Sequence, residues 1–318
     1  MLELSFLLEY HSMLGKICAV VAVLGLVGFC GLSLYSWYRF RTPLHGHIQL
    51  SETISVDDYD LPLQKHTFTS LDGVQLVGYS AVHSQNATQA TQPSVTTKGW
   101  ILLTHGFTSN GWKSLLGPGQ FLYDQGYNVF FVSLRSFGES QGDRVYLGTQ
   151  EWQDVVAADS YIQDNFPTTG MPLGWYGVSM GAASTLVAAQ YDKQPDFLII
   201  QVPFATIQSL IIPQLIRSNL PVWLFQPFAH LIPFLELGWN YKQFTAEKST
   251  AIKTPILLIG AQRDNQVLFG DSQKLFDLVA TPADMKMYAQ LDTGHDAYGE
   301  KPEAVQEVMQ KFLKKVGM

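Results

Sequence analysis

The hydrophobic pattern divides the chain into an apolar leader, a polar connection and a long body in which strand-like and helix-like runs alternate. Residues 17–38 carry no charged side chain and lie between Lys16 and Arg39. As a helix they would extend roughly 33 Å, about the thickness of a bilayer core. Tyr35, Trp37 and Tyr38 mark one end, where interfacial aromatics gather. The run is long for a cleaved signal, and no small-x-small cleavage site follows it. Phe29 precedes Cys30 where a lipoprotein signal needs a small residue. The pattern therefore predicts a single-pass membrane protein with an uncleaved transmembrane anchor over 17–38, a tail at 1–16 and an acidic linker at 39–64. Met13-Leu14-Gly15-Lys16 offers a second start with a charged lead-in. Lys16 and the amino terminus nearly balance Arg39 and Arg41, so the side on which the body lies stays open.

The body begins with a hairpin: alternation from Lys65, a turn at Leu71-Asp72-Gly73, and a return over 74–82. Residues 84–97 are rich in Ser, Thr, Gln and Asn and read as a loop; Asn86-Ala87-Thr88 is a glycosylation sequon by pattern only. Near-continuous apolar runs at 99–104, 128–134, 171–176, 197–202, 255–260 and 286–290 predict buried strands. Helical spacing or packing predicts helices at 112–125, 152–166, 182–189 and 302–316, with Gly126 as a C-cap. Strands alternating with helices imply a mostly parallel sheet covered on both faces.

Apolar residues make up 47% of the 318, enough for a large core, and the net charge of −7 argues against nucleic acid as a partner. Cys18 and Cys30 both lie in the apolar leader, so the body has neither a disulfide framework nor a Cys-bound metal.

The stretch that organises the rest is MPLGWYGVSMGAASTLVAAQ, residues 171–190. A strand that turns sharply into a helix strains the turning residue, and glycines two before and two after it remove the crowding. Gly177-Val178-Ser179-Met180-Gly181 meets that requirement and holds the Ser179 hydroxyl above the sheet edge. This resembles the G-x-S-x-G nucleophile elbow of the α/β-hydrolases. Gly138-Glu139-Ser140-Gln141-Gly142 also matches, but no apolar helix follows it, and Ser140 reads as a turn serine.

The resemblance covers residues 65–316 and implies nucleophile, acid and base in that chain order, each just beyond a strand end. Asp264 follows PILLIG in a segment similar to the family's acid loop; Asp271 is the reserve. His295 follows the last strand and is the histidine that comes after the acid. His105-Gly106-Phe107 resembles the family's His-Gly-x, which makes Phe107 and Met180 N–H groups the oxyanion donors and His105 a loop brace. Arg135-Ser136-Phe137-Gly138-Glu139-Ser140 resembles a family loop, Asp-x-Arg-Gly-x-Gly-x-Ser, but Ser133 stands for its Asp and Ser136 for its first Gly. The chain looks most like the serine-aminopeptidase and monoacylglycerol-lipase-like branch, especially its membrane-anchored members.

The core is then expected at 65–203 and 247–318, with a cap or lid inserted at 204–246. That insertion carries Arg217, Glu236 and Lys242 as its charges before residue 245, and Pro213, Pro221, Pro227 and Pro233 should break it into short segments. It reads either as a cover whose apolar face closes on the core or as an acyl-binding cap that also touches lipid. The expected activity is a serine hydrolase cleaving carboxylic esters, lipid or acylglycerol-like esters among them. A peptidase, amidase or thioesterase would use the same triad, and an inactive membrane-tethered binding module is the non-enzymatic alternative. No metal or organic cofactor is called for. The expected partners are a small-molecule ester or lipid, and a membrane reached by the N-terminal helix and the cap.

Overall fold

Strands that are apolar along their whole length can be buried on both faces, and the sheet's centre is made of such strands. They are β3 (Gly99–Thr104), β4 (Tyr127–Ser133), β5 (Leu173–Val178), β6 (Phe197–Gln201) and β7 (Ile256–Ala261). Nearly every residue in them is buried. β1 (Leu63–Thr69), β2 (Gln75–Ala81) and β8 (Lys286–Leu291) complete the order β1-β2-β4-β3-β5-β6-β7-β8. β1 and β2 form the expected hairpin, β2 pairs antiparallel with β4, and the remaining pairs are parallel.

This computed structural model describes residues 2–83, 97–191, 194–239, 241–243 and 245–318. The loop expected at 84–97, apart from Thr97, and its sequon lie outside the described residues. The chain forms two units, Met1–Pro43 and Leu44–Met318. In the first, α1 (Leu2–Arg41) is one helix, so the expected tail and anchor share a single element. Residues Met13–Leu44 are long and apolar enough to cross a membrane.

In the second unit the helices are α2 (Leu116–Asp124), α3 (Trp152–Asn165), α4 (Met180–Tyr191), α5 (Gln208–Arg217), α6 (Val222–Leu237), α7 (Asp271–Leu278), α8 (Ala297–Glu300) and α9 (Pro302–Lys315). The helix expected at 112–125 opens instead as a 3-10 turn, Gly111–Leu115, with α2 following. Pro118 falls in the first turn of α2, where a missing N–H is tolerated. The insertion departs further from expectation. Pro221 does precede a helix, but α5 runs through Pro213 and α6 runs through Pro227 and Pro233. An interior proline deletes one backbone bond, and α6 keeps its course because Phe225, Ala229, Ile232 and Leu237 are buried along one side.

The expected linker is also more than a linker. From Leu44 it lies along the body as a strap. Gly46 N–H donates to Asp143 O (2.6 Å), Ile48 N–H to Ser136 O (2.7 Å) and Ser51 N–H to Ser109 O (2.8 Å). Leu50, Ile54, Val56, Tyr59 and Leu61 pack against the core.

Two buried polar centres hold the loops at the sheet's ends. Arg135 Nη1 donates to Asp72 Oδ2 at 2.7 Å, and its Nη2 to Asp154 Oδ1 at 2.7 Å. The Ser70 hydroxyl donates to Asp154 Oδ1 at 2.7 Å. One guanidinium thus ties the β1–β2 turn to α3. Although burial opposes its charge, Asp154 and Asp72 hold the Arg135 pKa above its ordinary value. The second centre is His105. Its ring is fully buried; Nε2 accepts Leu134 N–H at 3.1 Å while Nδ1 donates to Gly106 O at 2.8 Å. That pairing requires a neutral ring with its proton on Nδ1, and burial lowers the pKa to about 4.

Two outcomes follow. Arg135→Leu should cost about 3–5 kcal/mol, because Asp154 would remain buried without its counter-charge; the urea midpoint should fall with little change in slope. The unfolded chain binds a proton at His105 near its ordinary pKa of 6.5, and the folded chain near 4. His105 stabilisation is therefore full above pH 6.5 and is lost as pH falls towards 4, by up to about 3 kcal/mol. His105→Gln should start less stable at pH 7 yet lose less stability across that window in urea titrations.

Candidate active site

β5 ends where its last residues can no longer stay extended, and Ser179 turns the chain into α4 with φ of +53°. A side chain at Gly177 would come within 2.8 Å of Ala182 Cα and of Gly181 O, and one at Gly181 would collide with the Thr104 carbonyl. The bare Gly181 lets the turn press onto the end of β3, and the bare Gly177 lets the first turn of α4 pack back onto β5. Ser179 N–H donates to Gln201 O at 2.9 Å, and Ala183 N–H to Ser179 O at 3.0 Å. The hydroxyl therefore sits at the N-terminal, electropositive end of α4, with the residue 9% exposed.

β7 delivers Asp264 and β8 delivers His295, each a few residues past the strand's C-terminal end. His295 Nδ1 lies 2.7 Å from Asp264 Oδ2, and Nε2 lies 2.8 Å from Ser179 Oγ. Asp264 Oδ1 accepts the N–H groups of Gln266 (2.8 Å) and Val267 (3.0 Å). Burial alone would raise the Asp264 pKa; the bond to His295, its charge and the two N–H donors outweigh it and hold the carboxyl below the usual range. An acidic orienter, an imidazole and a hydroxyl thus form one unbroken hydrogen-bonded chain. With Asp264 accepting from Nδ1–H, Nε2 is the nitrogen free to take the serine proton.

Gly106 lies against Ser179: a side chain there would meet Ser179 Cβ at 3.2 Å. Phe107 follows Gly106 in the chain as Met180 follows Ser179. Among the described residues neither N–H has a backbone acceptor, so both are available as donors.

The remaining candidates have structural positions. Asp271 opens α7 and accepts Ala205 N–H at 2.7 Å, whereas the His295 ring bonds Asp264 and Ser179. Ser140 is fully buried, donates to Ser133 O (2.6 Å) and accepts Val77 N–H (2.9 Å). His105 braces the Gly106 loop. Among the described residues no cluster of His, Cys, Asp or Glu could hold a metal ion.

A cavity of about 490 Å³ opens beside Ser179. Its wall holds residues that sequence reasoning did not single out: Ile54 and Tyr59 from the strap, Tyr176 and Gln201 from strand ends, and Tyr298 after His295. A polar residue ending an apolar strand, as Gln201 ends Phe-Leu-Ile-Ile-Gln, was a readable signal; nothing local marked Ile54 or Tyr59. No described residue of the 204–246 insertion lines this cavity.

Comparison with known proteins agrees with this architecture. Residues 96–243 match the family model described as serine aminopeptidase, S33. An esterase of Pyrococcus furiosus superposes with a TM-score of 0.67 at 19% identity, covering 86% of this chain and 98% of that one. A Xanthomonas campestris protein, described as an α/β serine hydrolase without lid, gives a TM-score of 0.53 at 19% identity, covering 84% and 96%. An uncharacterized 31.7 kDa protein of Escherichia coli is 22% identical over 68% of this chain and 90% of its own length. Sheet order, the turn at Ser179 and these likenesses converge on one conclusion: the chain has the α/β-hydrolase fold, and residues 96–243 are similar to the serine aminopeptidases of S33.

Proposed function

We propose that this protein is a serine hydrolase that cleaves carboxylic esters through an acyl-enzyme intermediate, with Ser179 as nucleophile, His295 as base and Asp264 as orienting acid. The observation that carries the proposal is the continuous Asp264–His295–Ser179 hydrogen-bonded chain, 2.7 and 2.8 Å, at the rim of the sheet. Ser179 Oγ attacks the carbonyl carbon as its proton passes to His295 Nε2. Asp264 stabilises the resulting imidazolium. The Phe107 and Met180 N–H groups hold the oxyanion. Collapse of the tetrahedral intermediate releases the alcohol, which takes the proton from His295. Water, deprotonated by the same nitrogen, then frees the acid and restores Ser179.

The family match favours one alternative, an aminoacyl amide in place of the ester. Both share the acyl-enzyme step, so turnover on paired ester and amide substrates separates them.

We also propose that residues 17–38 anchor the protein in a membrane and that the cap touches lipid. Trp223 is 77% and Trp239 81% exposed, and Leu231 and Leu235 are exposed between them. The one carboxylate of α6, Glu236, is turned to His45 (2.9 Å) and Arg144 (3.2 Å). This leaves an outer side that is apolar apart from Gln226 and His230, with tryptophan at both ends, the arrangement of an interfacial helix. No described residue of the cap lines the cavity beside Ser179, which supports contact with lipid over the acyl-binding role.

A fluorophosphonate probe should label the wild type and not Ser179→Ala; a folded wild type that resists the probe would overturn the proposal. With an activated ester, Asp264→Asn should lower kcat by roughly 10⁴-fold with a smaller effect on KM. The full chain should resist alkaline carbonate extraction from membranes. Residues 44–318 alone should be extracted, yet should still sediment with lipid vesicles, less so after Trp223→Ser with Trp239→Ser.

A further inference from the structure

The floor of the cavity contains a polar pair that the proton relay does not use. Tyr176 and Gln201 line it from adjacent strand ends, where Val178 of β5 pairs with Gln201 of β6. Gln201 is bound to the nucleophile's own peptide, since its carbonyl accepts Ser179 N–H. Its side chain is nearly enclosed, the residue being 1% exposed. The Tyr176 hydroxyl donates to Gln201 Oε1 at 2.9 Å. Tyr176 is fully buried, and burial keeps its pKa far above the ordinary value, so the hydroxyl remains a donor.

That bond fixes the carboxamide, with Oε1 towards Tyr176 and Nε2 turned away. No hydrogen bond among the described residues uses Nε2. Nor is Nε2 among the polar atoms that are wholly covered and unpartnered. Its residual exposure therefore opens on the cavity that Gln201 lines. A nearly buried amide whose donors lack a partner is unfavourable until something in the cavity accepts from it. The charges on the wall add a second constraint. Asp296 is a carboxylate, and no lysine or arginine stands among the lining residues to offset it. An anionic substrate group would meet repulsion there.

Resting on the esterase reading above, we propose that Gln201 determines specificity: its Nε2 donates to an uncharged acceptor in the substrate, beyond the scissile carbonyl. The site then selects esters bearing an ether, amide or carbonyl oxygen over plain alkyl esters of equal length. A site built to donate to such an oxygen discriminates strongly against the analogue that lacks it, because its own polar group would be left unpaired.

The test uses the full chain and matched ester pairs. One pair varies the acyl side, p-nitrophenyl methoxyacetate against p-nitrophenyl butyrate. The other varies the alcohol side, 2-methoxyethyl butyrate against n-butyl butyrate. The variants are Gln201→Leu and the longer Gln201→Met, each checked by thermal melting and fluorophosphonate labelling. The expected result is a loss of kcat/KM at least about tenfold larger on the ether ester than on its alkyl partner, in one pair or the other, in both variants. Equal losses on ether and alkyl esters, or no loss on either, would overturn the assignment. So would variants that fold but no longer label, since Gln201 would then be a support for the elbow. A wild type that does not label is a separate outcome and refutes the esterase reading itself.

Discussion

The structure depends on one close approach, that of the turn after β5 to the end of β3. Side chains are missing at Gly177 and Gly181 because neighbouring backbone fills their space. Thr104 fastens the contact: its hydroxyl lies 2.8 Å from that of Thr185 and 3.2 Å from Gly181 O. Gly106, two residues further on, then rests on Ser179. The left-handed backbone of Ser179 is held by the packing around it. Ser179 and the Gly106 loop are consequently positioned as one packed unit, with little independent freedom.

A second layer of order stands behind the first. Ser136 occupies a left-handed conformation, φ of +68°, where relatives of this fold would be expected to carry glycine. Its side chain offsets the strain, since Oγ donates to Arg144 O (2.7 Å) and accepts Arg144 N–H (2.8 Å). Ser133, at the other departure, donates to Phe137 O at 2.9 Å. Both substitutions are accommodated locally, and Arg135 keeps its place between Asp72 and Asp154. The same loop receives the strap, through Ile48 and Gly46.

Much of this was legible in the residues. Long apolar strands announce themselves, and each strand of the sheet lies within a few residues of its expected place. Ser179, Asp264 and His295 could be picked out because each follows a strand end, and the structure brings the three within hydrogen-bond range. What could not be read depended on tertiary packing. Pro227 and Pro233 looked like breaks, but a buried side holds α6 together through them. The strap lacks a periodic pattern because it borrows its partners from loops such as those at Ser109 and Ser136. The cavity wall joins residues as distant in sequence as Ile54 and Tyr298, a juxtaposition without a local signal.

The strap makes the part of the chain before the sheet a wall of the cavity beside Ser179. Ile54 and Tyr59 come from a stretch that would ordinarily be trimmed away as a tether, yet they form one side of the chamber beside Ser179. A fragment started at the first strand would keep Ser179, His295 and Asp264 but would have a breached chamber. Such a fragment would preserve the three hydrogen-bonded side chains while changing the shape of the space in front of them.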